Sequence, residues 1–197
     1  MKQKIKKAAV LGAGVMGSTI AAHLANAGIP CFLLDIVPPE LTDAEKKKGL
    51  TFQSPEVRNR FAIFGKKRAQ ELRPAAFYLK DDAELLTTGN FEDHLSWVSQ
   101  ADWIIEVVLE DLNIKRELFK KLIPFLKEGT VLSSNTSGIS INKMCEGFSR
   151  DFEERFLGTH FFNPPRYMKL LEIIPAKSTS KSTVEKMVGV GEKILGK

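Results

Sequence analysis

Apolar residues along the chain fall into short runs that alternate with longer amphipathic segments. A run such as Cys31 to Leu34 is too short for a helix and is typical of a strand buried on both faces. The alternation predicts an α/β domain with a doubly wound, mostly parallel sheet. Strands are predicted at 5–11, 30–35, 84–88, 103–109, 130–134, 156–161 and 168–174, and helices at 15–28, 91–100, 112–127, 139–146 and 180–195.

A glycine-rich turn joins the first predicted strand to the first predicted helix. Its three glycines have the spacing G-x-G-x-x-G, which suits a tight turn, the approach of a diphosphate and close helix packing. Asp35 ends the second predicted strand, where an acidic side chain can accept hydrogen bonds from ribose hydroxyls. The pattern predicts a Rossmann-type dinucleotide site, with a chance glycine turn as the alternative. The predicted cofactor-binding residues of the turn are Gly12, Gly14, Val15, Met16 and Gly17.

Length and composition set limits on the architecture. The 197 residues, 43% of them apolar, suffice for one core, so a single domain over 1–197 is expected. A basic start followed by Ala8 to Leu11 imitates a signal peptide, but the glycine motif and the polar His23 argue against one. Cys31 and Cys145 form neither a disulfide framework nor a metal site. We therefore expect no membrane segment, no metal and a cytoplasmic location.

A helical excursion is predicted after the second strand. Ser54 followed by Pro55 is typical of a helix start, and Pro74 is expected to end the segment. The apolar face of this helix is predicted to contain Val57, Phe61, Phe64 and Leu72.

The same excursion contains the basic excess of the chain. The formal net charge is +5. Lys66, Lys67, Arg68 and Arg73 are predicted to lie largely away from the apolar helix face. They could bind a phosphorylated part of the substrate, or they could form an ordinary solvated surface. Nucleic acid is a poor partner for this segment, because no stacking aromatics follow a recognisable spacing.

Candidate chemistry follows the ends of two central strands, where doubly wound sheets bind ligands. Glu110 follows the strand at 103–109, and Lys115 lies on the next helix. Both could face the cofactor, or they could be a helix N-terminal acid and an exposed lysine. Asn135 and Ser137 lie in a polar loop and could hold a substrate oxygen beside the nicotinamide, although helix capping also explains such residues. No G-x-S-x-G motif supports a nucleophilic serine.

A histidine and a carboxylate give the clearest catalytic signal. His160 ends a predicted strand, and Glu172 stands among apolar residues of the next one. A buried carboxylate needs a partner, and His160 is the available one. A neutral imidazole held by a carboxylate can take a proton from a substrate hydroxyl. The alternative is a hydrogen-bonded structural histidine.

Four segments together resemble the NAD-binding domain of L-3-hydroxyacyl-CoA dehydrogenases. They are Gly12–Gly17, Ser134–Ser137, Gly158–Pro164 and Leu170–Ile174, and they occur in order across almost the whole chain. The resemblance implies a catalytic His160–Glu172 pair and contact of Ser137 with substrate. Lys67 is a candidate contact for the CoA part of the substrate. The residues that the resemblance places near NAD are Asp35, Glu110, Lys115, Ser137 and Asn163.

The activity implied by the resemblance is NAD-dependent oxidation of the 3-hydroxyl of a 3-hydroxyacyl-CoA in fatty-acid β-oxidation. A dehydrogenase of another small hydroxy acid and a non-catalytic NAD-sensing module are the alternatives. Members of the family continue past a Leu-Gly-Lys like 195–197 into a helical domain that closes the site and forms a homodimer. The chain is therefore expected to be the NAD-binding part and inactive alone. It is most similar to bacterial members fused to an enoyl-CoA hydratase.

Overall fold

A seven-stranded sheet forms the centre of the computed structural model, which describes residues 5–197. The strand order is β3-β2-β1-β4-β5-β6-β7, and only the β6–β7 pair is antiparallel. The predicted doubly wound, mostly parallel sheet is confirmed. The strands are β1 Ala8–Leu11, β2 Cys31–Asp35, β3 Leu86–Asn90, β4 Trp103–Glu106, β5 Val131–Ser134, β6 Phe156–Phe161 and β7 Leu171–Pro175.

Helices cover both faces of this sheet. They are α1 Val15–Asn26, α2 Asp43–Lys47, α3 Pro55–Arg58, α4 Arg60–Glu71, α5 Leu112–Leu122, α6 Ile141–Cys145, α7 Arg150–Glu154 and α8 Lys181–Val190. Short 3₁₀ turns occupy Lys80–Leu85, Leu95–Gln100 and Ile123–Phe125, and α8 ends in a π turn at Gly191–Leu195.

Alternate residues of the central strands enter two hydrophobic cores. Val10 faces the core that contains α1, whereas Leu11 faces the core that contains α5. Trp103 and Phe119 are fully buried, one in each core. Burial on both faces explains why the strands are continuous apolar runs rather than alternating ones.

Several predicted elements are shorter than the sequence suggested, for example the helix predicted at 112–127, which ends at Leu122. The strand predicted at 103–109 ends at Glu106, and Leu109 is 72% exposed. The helix predicted at 91–100 is reduced to the 3₁₀ turn at Leu95–Gln100. Asn90 explains this, because its side-chain oxygen accepts from the N–H groups of Glu92 and Asp93 and holds a turn in place of a helix start.

The predicted excursion helix is divided at Asn59 into α3 and α4. Ser54 precedes α3, but its hydroxyl accepts from the N–H of Thr51 instead of capping the helix.

The predicted apolar face of the excursion is confirmed at Val57, which is buried, and at Leu72, which packs against the core, but it is wrong at Phe64, which is 61% exposed. The buried residues of α4 are instead small, namely Ala62, Gly65 and Ala69. Small residues allow α4 to pack so closely that a Cβ on Gly65 would lie 2.5 Å from the carbonyl oxygen of Ala13.

Two of the basic residues on α4 also turn inward. Lys66 donates to the carbonyl of Leu86, and Arg68 donates to the carbonyl of Ala13. Only part of the predicted basic surface therefore faces solvent: Lys67 and Arg73 are exposed.

Candidate functional site

The three glycines of the turn between β1 and α1 have different environments. Gly12 has φ +109, and a Cβ there would lie 2.5 Å from the carbonyl oxygen of Val107. A Cβ on Gly17 would overlap the carbonyl oxygen of Gly12. A Cβ on Gly14 would meet no atom of the described residues within 4 Å. The first and third glycines are therefore required by packing, whereas the second leaves open space over the loop.

This open space lies at the N-terminus of α1. The helix begins after Gly14 without a side-chain cap, so its first N–H groups are available to a ligand. Val15 is 52% exposed in the first turn, and Met16 is partly buried against the core. Unpaired N–H groups and the helix dipole at this position favour a diphosphate.

Asp35 lies beside the loop at the end of β2. One carboxylate oxygen accepts from the N–H of Ala13 at 2.6 Å, and the other accepts from the N–H of Ile36 at 2.7 Å. Each carboxylate oxygen has a second lone pair, so Asp35 can also accept from ribose hydroxyls. These residues line a cleft of about 750 Å³, which is also lined by Phe61, Phe64 and Arg68 of α4. The loop, the acid and the cleft together fit a dinucleotide.

An ion-pair cluster lies beneath the next strand end. Lys115 is 1% exposed and contacts Glu106 at 2.7 Å and Glu110 at 3.2 Å. Glu106 also accepts from the hydroxyl of Ser134 at 2.5 Å and from the N–H of Val108 at 2.6 Å. Burial raises the pKa of Glu106, and the hydrogen bonds and the charge of Lys115 oppose this without cancelling it.

This cluster corrects the alternative interpretation of Glu110 and Lys115. Lys115 is buried rather than exposed, and the acid that caps α5 is Asp111, which accepts from the N–H groups of Asn113 and Ile114. Glu106 was not identified from the sequence. Its position at the end of an apolar strand, nine residues before Lys115, was the available signal.

Glu110 organises the polar loop that follows β5. It accepts from the hydroxyl of Thr136 and from the N–H groups of Ser137 and Gly138. Partial burial raises its pKa, but the bonds from Thr136 and Gly138 and the charge of Lys115 outweigh this, so the pKa is lowered. The carboxylate of Glu110 therefore fixes the loop that contains Ser137.

Asn135 and Ser137 differ in how much of each side chain remains available. The Asn135 oxygen accepts from the N–H of Phe161 at 2.8 Å and so ties β5 to β6. Ser137 is exposed, and its hydroxyl makes no hydrogen bond within residues 5–197. The Ser137 hydroxyl and the amide NH₂ of Asn135 are thus both available for the predicted contact with a substrate oxygen.

His160 and Glu172 face each other across the antiparallel pair β6 and β7. The Nδ1 atom of His160 lies 2.8 Å from a carboxylate oxygen of Glu172. The predicted pairing is present, but the expectation of a buried carboxylate was wrong, because the Glu172 side chain is 47% exposed. β7 is the edge strand of the sheet, so topology leaves this carboxylate uncovered. Nε2 of His160 has no hydrogen bond within the described part of the chain.

Two other predicted site residues are exposed. Asn163 lies in the turn after β6, close in sequence to His160. Lys67 is 67% exposed on α4, with a carboxylate oxygen of Glu71 3.9 Å from its Nζ atom. The structure leaves both side chains accessible to a ligand.

The described residues contain neither a metal-binding cluster nor a membrane-spanning helix. Within residues 5–197, no cluster of three or more His, Cys, Asp or Glu side chains could hold a metal ion. No helix in this range is long and apolar enough to cross a membrane. Cys31 and Cys145 are free and buried.

The family of the chain follows from its match over residues 7–197. The model that matches there is described as "3-hydroxyacyl-CoA dehydrogenase, NAD binding domain". The chain belongs to this family. NAD is accordingly the cofactor of the 3-hydroxyacyl-CoA dehydrogenase domain, in agreement with the glycine loop, Asp35 and the cleft.

Similar proteins extend beyond the length of this chain. It is 53% identical over 197 residues to a Bacillus subtilis protein named "Probable 3-hydroxyacyl-CoA dehydrogenase", covering 100% of this chain and 25% of the relative. It is 35% identical over 193 residues to human mitochondrial hydroxyacyl-coenzyme A dehydrogenase, covering 98% of this chain and 57% of that protein. The crystal structure of Mycobacterium tuberculosis FadB2 superposes with a TM-score of 0.74 at 29% identity, covering 99% of this chain and 62% of that one.

Proposed function

We propose that the protein containing this domain oxidises the 3-hydroxyl of a 3-hydroxyacyl-CoA to the 3-oxo compound in fatty-acid β-oxidation, using NAD. The observation that carries the proposal is the hydrogen bond between His160 and Glu172. It lies at the carboxyl end of β6, on the same edge of the sheet as the cofactor loop. A histidine oriented by a carboxylate supplies the general base that oxidation of an alcohol requires.

The proton moves along a short path in this mechanism. Glu172 accepts from Nδ1–H of His160, which leaves the lone pair on Nε2. Nε2 removes the proton of the substrate 3-hydroxyl, and the electrons of that O–H bond form the carbonyl as C3 loses a hydride. Bound NAD supplies the acceptor for that hydride. Glu172 then stabilises the imidazolium, while Ser137 and Asn135 position the reacting oxygen.

The remaining expectations concern the whole protein. His160 and Glu172 are 20% and 47% exposed, so the described residues alone do not enclose the site. We propose that a further, helical domain covers it and forms a homodimer, and that the protein is fused to an enoyl-CoA hydratase and is cytoplasmic. A Rickettsia felis relative at 36% identity is named as a trifunctional enzyme of a fatty acid oxidation complex. The 197 residues alone should bind NAD but turn over little hydroxyacyl-CoA.

The mechanism is tested by His160→Gln and Glu172→Gln in the longer protein. We expect kcat for His160→Gln to fall about 100-fold or more with little change in the Kd for NAD, because general-base catalysis typically contributes 10² to 10⁴. Glu185→Gln, an exposed carboxylate on α8, is the matched control for Glu172→Gln. Turnover of His160→Gln within a few-fold of wild type would contradict the mechanism. NAD binding without turnover of any hydroxyacyl-CoA would favour an NAD-sensing module.

Substrate recognition is tested at Lys67. The variant Lys67→Gln should raise KM for CoA thioesters more than for short thioesters that lack the nucleotide, and added salt should reduce the difference. Lys67 is a better position for this test than its two neighbours, because Lys66 and Arg68 donate hydrogen bonds to backbone carbonyls of the domain. Equal KM effects on both substrates would assign Lys67 to an ordinary solvated helix face.

A further inference from the structure

Arg68 occupies an unusual position for a residue of a basic helix. Its guanidinium donates to the carbonyl of Ala13 at 3.0 Å and to the hydroxyl of Ser18 at 3.3 Å. Ser18 in turn donates to the carbonyl of Gly14 at 2.8 Å. Arg68 also borders the cofactor cleft, together with Gly12 and Asp35. A cation therefore lies directly against the loop at the N-terminus of α1.

The charge of Arg68 is not balanced by a nearby acid. Both of its hydrogen-bond partners are neutral, and within residues 5–197 no carboxylate lies within 4.0 Å of it. Its Nε atom is buried without a hydrogen-bond partner. By contrast, Arg58 and Arg60 of the same excursion each contact a carboxylate. An anion bound beside a half-buried cation that has no counter-charge would be stabilised by it.

The position of Arg68 is maintained by close packing. Gly65 lies one turn earlier on α4, and its contact with Ala13 leaves no room for a larger side chain. The N–H of Ala13 is held by Asp35 on the other side. The loop is thus held between the carboxylate of Asp35 and the guanidinium of Arg68, and the close packing of α4 keeps the backbone of Arg68 beside the loop.

We propose that Arg68 is a cofactor-binding residue whose guanidinium, held against the carbonyl of Ala13, adds a positive charge to the site of the NAD diphosphate. The charge reinforces the unpaired N–H groups and the dipole of α1 at the same point. Arg68 lies outside the glycine motif and more than 30 residues after Asp35, so no sequence motif for dinucleotide binding includes it. The inference rests on NAD binding by the family and is independent of the proposed substrate.

The test compares the affinities of the 197-residue protein and its Arg68→Gln variant for NAD, ADP-ribose and adenosine. Calorimetry serves for the first two ligands and ligand-observed NMR for adenosine. We expect Arg68→Gln to weaken NAD and ADP-ribose about tenfold, the size of one charge-assisted contact, and to leave adenosine unchanged. Arg68→Lys should retain much of the affinity. Arg73→Gln removes an equal charge from an exposed position of the excursion and should change none of the three.

Each outcome decides a separate question. If wild type binds NAD and the Arg68→Gln variant binds each of the three ligands as tightly as wild type does, Arg68 is not part of the diphosphate site. If adenosine loses as much affinity as ADP-ribose, Arg68 only holds the loop in shape. Failure of wild type to bind NAD would instead overturn the cofactor assignment, and this proposal with it.

Discussion

Replacing Lys115 with Met tests the buried ion pair beneath the candidate site. Lys115 is 1% exposed and Glu106 is 0% exposed, with 2.7 Å between Nζ and the carboxylate oxygen. Methionine preserves most of the aliphatic stem but removes the ammonium group. Glu106 then keeps its bonds from Ser134 and Val108 and loses the neighbouring positive charge. The variant therefore retains a desolvated carboxylate that can remain in the core only at an energetic cost.

The size of this cost depends on whether Glu106 stays charged or becomes protonated in the folded variant. Removing one partner of a buried pair costs about 3 to 5 kcal/mol when the other stays charged. Glu106 can instead take up a proton on folding, and from an ordinary pKa of 4.5 this costs about 3 kcal/mol at pH 7. Protonation therefore limits the destabilisation to about 3 kcal/mol. The folded variant binds the extra proton, so its deficit shrinks as the pH falls from 7 toward 4.5.

Urea unfolding at pH 7 and pH 5, followed by the fluorescence of the buried Trp103, measures this effect. The control is Lys120→Met on the same helix, whose pair with Glu117 is more than half exposed and should contribute less than about 1 kcal/mol. A deficit below about 1 kcal/mol at pH 7 for Lys115→Met would show that the pair is hydrated. A deficit that does not shrink at pH 5 would refute protonation of Glu106.

Three further predictions concern the loop, the ribose and a second buried group. Gly14→Ala should leave the Tm nearly unchanged and weaken the affinity for NAD about tenfold or more. Gly17→Ala should instead destabilise the fold itself. Differential scanning calorimetry measures the Tm of each variant, and titration with NAD measures the affinity. Asp35→Ala should weaken NAD and abolish its preference over NADP, because the carboxylate repels a 2′-phosphate; calorimetry showing an unchanged preference would contradict this. Burial and the nearby Lys197 lower the pKa of His23 to about 4, so folding favours the neutral ring and the wild type should lose up to about 3 kcal/mol as the pH falls from 6.5 to 4. Urea titrations of wild type and His23→Gln at several pH values should show a smaller loss in the variant.

The parts of the fold that were predictable are those encoded locally. The central strands β1, β2 and β4 are apolar runs, apart from the acidic residues that end β2 and β4, and the glycine spacing fixes the turn between β1 and α1. The His160–Glu172 pair was also predictable, because the two residues lie on consecutive strands. In these cases the determining residues are neighbours in the sequence or in adjacent elements.

The parts that were not predictable depend on contacts between distant segments. Phe64 has the spacing of a core residue, but the small residues of α4 pack closer to Ala13 than a phenylalanine face would allow. Burial of Lys115 depends on Glu106 at the end of a different element, and exposure of Glu172 depends on β7 being at the edge of the sheet. Helical periodicity and strand propensity contain no information about such tertiary arrangements.

The register of β6 and β7 separates the His160–Glu172 pair from the turn that joins the two strands. His160 is placed opposite Glu172 by the same ladder that aligns Leu157 with Pro175 and Phe161 with Leu171. Changes in the length of the turn at 165–170 therefore need not move the pair, provided that the ladder is kept. Protein engineering can therefore insert or exchange residues in this turn while the geometry of His160 and Glu172 is retained.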